Sequence, residues 1–188
     1  LTGNNPGRHG IYGFTDIDRT EFKQYFPNLG SLKGDTVFDL VGSQGGRSVV
    51  VNVPGTYPAR EMSGTLVSGF VAIKLEKAVH PPSLLGRLED MGYRIDVDYV
   101  RANERPDEFF KDLFETLAIR RRLLVELARE DEWGLFIGVI TETDRMHHYF
   151  WHVWEDEGSP YHQRFVDFYA EVDEAVGELL DSLEGVPT

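Results

Sequence analysis

The sequence predicts an α/β fold, a mostly parallel sheet sandwiched by helices, and three observations carry that expectation. Ser48-Val-Val-Val-Asn-Val53 is a β-branched run bounded by Gly46 and Pro54, the pattern of a strand buried on both faces of a parallel sheet. Trp133 to Thr141 is a second apolar run of strand length. Segments with helical periodicity lie between and after these runs, and strand alternating with helix argues for a sheet covered by helices.

The elements follow in order. Thr2 to Asp18 is rich in Gly, Asn and Pro and reads as loop and tight turn. Val37 to Gly42 reads as a short helix ended by the glycines at Gly45 and Gly46. After the first strand, residues 54 to 82 read as loop, with Gly55, Pro58, Gly64, Gly69, Pro81 and Pro82. Long irregular segments of this kind often carry function. Ser83 is placed to cap a helix running to Met91 and stopped by Gly92, and Tyr93 to Val97 reads as a short strand. Pro106-Asp107-Glu108 opens the clearest helix, with Phe109, Phe110, Leu113, Leu117, Leu124 and Leu127 repeating at threes and fours to about Arg129. Asp144 to Trp154 reads as helix. A last helix begins at Pro160, with Phe165, Phe168, Tyr169, Val172, Val176, Leu179 and Leu180 on one face. Few strands are convincing, which is thin for an independent sheet.

Bulk composition narrows the function. A chain of 188 residues suits a single α/β domain over 1–188, the central part of a larger protein. With 32 acidic against 19 basic residues the net charge is −13, so no basic groove for nucleic acid is expected. The longest apolar run is too short for a membrane span. No cysteine is present, which excludes disulfides, thiolate zinc sites and cysteine nucleophiles. Any metal must be held by His, Asp, Glu or water, and a reducing, cytoplasmic compartment fits. The chain opens on Leu1-Thr2-Gly3 without Met, which reads as the interior of a longer protein.

The richest segment is Thr141-Glu-Thr-Asp-Arg-Met-His-His-Tyr-Phe-Trp-His152. Asp144 falls a few residues past the end of a buried strand, where catalytic groups gather in open α/β sheets. On a helix, Asp144, His148 and His152 share a face, and His147 points elsewhere. A carboxylate and an imidazole at that spacing can both reach one divalent cation. Spacing alone leaves a second reading open: Asp144 as a helix cap, and the histidines as a polar seam among aromatics. Three ligands from one helix stripe would give poor tetrahedral geometry, so further donors are expected from elsewhere. Thr2-Gly-Asn-Asn-Pro-Gly-Arg-His-Gly-Ile-Tyr-Gly-Phe14 is not a P-loop, and His9 is expected to bond backbone. No Gly-x-Ser-x-Gly elbow occurs.

Taken together, four pieces resemble the type I phosphodiesterase/nucleotide pyrophosphatase branch of the alkaline phosphatase superfamily, in particular its predicted phosphohydrolase/phosphomutase members. They are Thr2 to Phe14; Val51-Asn-Val-Pro-Gly-Thr-Tyr-Pro58 with Gly64 to Phe70; Asp144-Arg-Met-His-His-Tyr-Phe-Trp151; and Tyr169 to Leu180. The resemblance implies an alkaline-phosphatase-like fold and a hydrolase of small phosphate esters using two divalent metal ions, zinc or in some members manganese. A Thr or Ser nucleophile attacks phosphorus while the ions stabilise the attacking and leaving oxygens. Asp144 and His148 match an Asp-x-x-x-His pair that binds one of the two metals. Arg145, His147 and His152 match no ligand position. In this family the nucleophile and one metal Asp precede the Thr-Gly motif, and an Asp-His pair and a later His follow the last helix. The chain is therefore expected to hold an incomplete site and to be inactive alone, with no catalytic nucleophile of its own.

Residues 54 to 82 and the aromatics Tyr149, Phe150 and Trp151 are candidates for substrate contact, with core packing the simpler role for the aromatics. The competing expectation is a non-catalytic α/β interaction module working through protein contacts, and oligomerisation would fit either reading.

Overall fold

The computed structural model describes residues 1–100, 102–130 and 132–183. In chain order the elements are α1 (Pro6–His9), β1 (Asp16–Ile17), β2 (Gln24–Tyr25), α2 (Val37–Ser43), β3 (Ser48–Val53), β4 (Gly64–Ser68) and β5 (Val79–His80). They continue with α3 (Leu85–Asp90), α4 (Pro106–Glu130), β6 (Leu135–Gly138), α5 (Glu142–Glu155) and α6 (His162–Asp181). The chain divides into two compact units, Leu1–Arg87 with Glu132–Val139, and Leu88–Asp131 with Ile140–Thr188.

The first unit is built on a four-stranded mixed sheet in the order β5-β4-β3-β6, with β3 parallel to both β4 and β6 and β5 antiparallel to β4. The α/β class and the mostly parallel sheet are thus as the β-branched runs predict. Ser48–Val53 forms the central strand, buried along its whole length. Val50, Val53 and Leu66 pack with Phe38 of α2 and with Leu29, while Leu135, Ile137 and Val139 close the same core. Helix α2 starts at Thr36, whose side chain accepts from the Asp39 amide while Asp39 reaches back to the Thr36 amide, so two otherwise unsatisfied donors are paired.

Three strands lie where the sequence predicts loop, the short β1 inside Thr2 to Asp18 and two further on. β4 and β5 fall inside residues 54–82, and the glycines bracketing β4 are there for close approach. A Cβ on Gly64 would sit 2.0 Å from the Ser48 carbonyl oxygen, and one on Gly69 would sit 2.2 Å from the Asn52 carbonyl oxygen. Composition reads such glycines as turns, whereas here they let two backbones touch. The register of β3 on β4 slips between Val51 and Val53, and Asn52 at the slip adopts φ 61°, a conformation asparagine tolerates better than most residues.

The second unit is helical, with α4, α5 and α6 packed on one another. Pro106 occupies the first turn of α4, with Asp107 and Glu108 favouring its positive end. Phe109, Phe110, Leu113 and Leu117 meet Met146, Phe150 and Val153 of α5 and Phe165 and Phe168 of α6 in one core. The Tyr93–Val97 stretch, predicted as a strand, is irregular. The carbonyls of Arg94 and Ile95 accept from the buried Arg120 guanidinium at 3.2 and 3.0 Å in place of a ladder. Two shifts are smaller: Ser83 lies inside a 3-10 turn over Pro82–Leu84, ahead of α3, and α6 begins at His162. At the far end of α6 the predicted apolar face is uncovered, with Val176 and Leu180 exposed by 44% and 61%.

Candidate functional site

Helix α5 carries Asp144 and His148, the two residues expected to bind metal. It follows β6 in the chain after Val139, Ile140 and Thr141, and it begins with Glu142 and Asp144 in its first turn, where carboxylates suit the helix dipole. Asp144 Oδ1 and His148 Nε2 stand 3.4 Å apart, with side chains 57% and 65% exposed. That is longer than an ordinary hydrogen bond. It is the span of two donors at about 2.1 Å around one tetrahedral cation, roughly 3.4 Å. The pair therefore fits as two of the ligands of one divalent ion.

The expected His152 does not extend that face. Phe150 interrupts α5 with φ −130° and ψ 17°, which rotates the residues beyond it off the stripe. His152 lies against the Phe150 ring instead. Among the described residues no group of three or more His, Asp or Glu side chains converges to hold a metal. His147 points elsewhere, as its position on the helix predicts. Its Nε2 shares a 2.6 Å hydrogen bond with the Tyr169 hydroxyl, and its ring lies against Trp151. Burial pushes the Tyr169 phenol up from its ordinary value.

The aromatics of the motif divide as their exposure dictates. Phe150 is core, between Phe109 and Phe110, and Tyr149 stacks on Tyr99. Trp151 remains 47% exposed.

Two ion pairs at the start of α5, Arg145 with Asp96 and Glu142 with Arg120, escaped the sequence reading. Arg145 is held on both oxygens of Asp96 by its Nε, at 3.0 and 3.1 Å, with its guanidinium 4.4 Å from the Tyr99 ring centre. Side-chain hydrogen bonding to Asp96 raises the Arg145 pKa above its ordinary value, against the opposing effect of burial. Glu142 is fully buried and meets Arg120 of α4. The signal for Arg120 was in the text: it continues the apolar stripe of Leu113, Leu117, Leu124 and Leu127, and an arginine there needs a buried partner.

The first unit contributes a cavity of 570 Å³, and two of the quoted motifs line it together. Tyr12 and Phe14 come from the glycine-rich opening, Pro54, Gly55 and Tyr57 from the turn after β3, with Phe26 and Ile73 beside them. The turn is locked by Thr56, whose hydroxyl donates to the Val53 carbonyl (2.7 Å) while Ser68 donates to the Thr56 carbonyl (2.9 Å). His9 is structural here, its Nδ1 accepting from the Ile11 amide at 3.2 Å.

A mostly parallel sheet, a helix bearing a carboxylate–imidazole pair after one of its strands, and glycine-rich loops around a cavity define an α/β protein of the alkaline-phosphatase-like class. The chain belongs to the type I phosphodiesterase / nucleotide pyrophosphatase family, whose model matches residues 1–185, and so to the alkaline phosphatase superfamily. This is a family of phosphoester hydrolases that are generally metal-dependent. No curated protein and no solved structure matches the chain. Among the described residues no helix is long and apolar enough to cross a membrane.

Proposed function

We propose that this chain is the central part of a metal-dependent phosphohydrolase or phosphodiesterase acting on small phosphate esters, with the nucleophile and the remaining metal ligands contributed from outside these residues. The observation that carries the reading is the 3.4 Å separation of Asp144 Oδ1 and His148 Nε2 at the solvent-open side of α5. Asp144 would supply a charged oxygen donor and His148 a neutral nitrogen donor. A divalent ion held there, zinc or manganese, would supply Lewis-acid stabilisation of an oxygen on phosphorus. The exposure of both side chains leaves room for a phosphate group to approach. A net charge of −13 opposes long polyanions and suits a small ester.

The test compares this chain with the intact enzyme on chromogenic phosphate mono- and diesters with zinc or manganese added. The intact enzyme turns over and this chain does not. Asp144→Ala in the intact enzyme lowers kcat/KM by more than about a hundredfold. Wild-type turnover by that variant removes the assignment.

The alternative, a non-catalytic interaction module, draws on the uncovered Val176 and Leu180 of α6. Inactivity of the intact enzyme on every ester, with reversible self-association that is lost in Leu180→Glu, would favour it.

A further inference from the structure

The geometry points to Arg145 as a positioning residue that sets the rotamer of Asp144, with Asp96 and Tyr99 holding the arginine in place. The inference rests on the reading of Asp144 and His148 as metal donors. Arg145 is nearly buried, its side chain 9% exposed, although it neighbours the half-exposed Asp144. Its Nε and Nη2 are occupied by Asp96, and the Asp96 Oδ1 also accepts the amide of Val97, so the carboxylate is itself fixed to the backbone. The guanidinium plane lies over Tyr99, and Tyr99 stacks on Tyr149 one turn along α5. Fork, ring and helix together remove the freedom an arginine side chain ordinarily keeps.

The remaining arm of the fork faces the candidate site. Arg145 Nη1 stands 3.6 Å from Asp144 Oδ2. The other oxygen, Oδ1, is the one beside His148 Nε2 at 3.4 Å. One carboxylate is thus divided between two neighbours, Oδ2 toward a fixed cation and Oδ1 toward the imidazole. An exposed aspartate otherwise samples several rotamers, and a ligand that must be ordered on binding binds more weakly. Arg145 removes that ordering cost in advance. Lysine could supply the charge but not the fork, since a single ammonium cannot engage Asp96 on two sides and still face Asp144.

The test is zinc titration of the intact enzyme by calorimetry, with circular dichroism and thermal midpoints recorded for every variant. Asp96→Asn keeps the shape but loosens the fork, and Arg145→Gln removes it. Each should weaken zinc binding about tenfold, with Arg145→Lys between them and the unsubstituted enzyme. A purely structural role would shift the thermal midpoint and leave the affinity of the folded fraction unchanged. Folded Asp96→Asn and Arg145→Gln variants that bind zinc within about twofold of the unsubstituted enzyme overturn the inference while the metal reading stands. If zinc binding by the intact enzyme is unchanged in Asp144→Ala, both readings fall together.

Discussion

Arg120 and Glu142, neither of them accessible to solvent, join α4 to the first turn of α5 through contacts of 2.9 and 3.2 Å from Nη2 and Nε to a single carboxylate oxygen. The guanidinium also reaches the Tyr93 hydroxyl and two backbone carbonyls, so one side chain ties together α4, α5 and the irregular stretch before α4. The second oxygen of Glu142 has no hydrogen-bond partner among the described residues.

Breaking that pair by removing one member leaves the other charge buried and uncompensated. Arg120→Ala and Glu142→Ala should each lower the unfolding free energy by about 3–5 kcal/mol, measured by urea denaturation. Replacing both at once with Arg120→Met and Glu142→Leu should recover much of the loss, because no buried charge then remains. A double variant as unstable as the singles would show the pair to be net stabilising.

Tyr93 lies in the same network, and burial pushes its phenol up to about 12, with Arg120 opposing and Glu142 adding to the shift. A phenol is neutral when protonated, so its folded state holds the proton to higher pH than the unfolded chain, near 10. The stability this contributes is fully present below about pH 10 and is lost as pH rises toward about 12. Ultraviolet titration should show the last tyrosine step disappear in Tyr93→Phe, and the steep alkaline loss of stability should soften with it.

Arg121, one position on, supplies the contrast. It contacts Glu171, Glu174 and Glu178 of α6, all partly exposed. Arg121→Ala should cost no more than about 1 kcal/mol, and less in high salt, because exposed pairs are screened. A loss as large as that of Arg120→Ala would mean the network is shielded from water.

Two glycines separate close approach from open space. Gly64→Ala should destabilise by about 3 kcal/mol or more, since its φ of 119° and the Ser48 backbone both oppose a side chain. Gly177→Ala on α6 meets nothing within 4 Å and should stabilise by up to about 1 kcal/mol through helix propensity. A thermal midpoint for Gly64→Ala as high as that of the unsubstituted chain would contradict the packing of β3 on β4.

Much of the frame was legible because it depends on local pattern. Ser48–Val53 is a strand by its β-branched run, and Pro106–Glu130 is a helix by its opening proline and its repeat at threes and fours. Asp144 and His148 face one way because four residues is about one helical turn. The losses occurred where a residue type has two uses. Gly64 and Gly69 read as turn residues, yet they border β4 and admit the backbone of β3. Tyr93–Val97 reads as a strand by composition, yet Arg120 takes its carbonyls from a distant part of the chain.

By itself, then, the amino-acid order determined the α/β class, the central strand, the long helix and the carboxylate–imidazole pair, all consequences of periodicity and of side-chain shape within a few residues. Only the tertiary structure decided that Asp96 grips Arg145 beside Asp144, that Glu142 is buried against Arg120, and that the kink at Phe150 takes His152 off the shared face. Those outcomes depend on side chains 22 and 49 positions apart meeting in space, and on a break in the helix at a residue buried in the core. No pattern confined to neighbours in the chain encodes either.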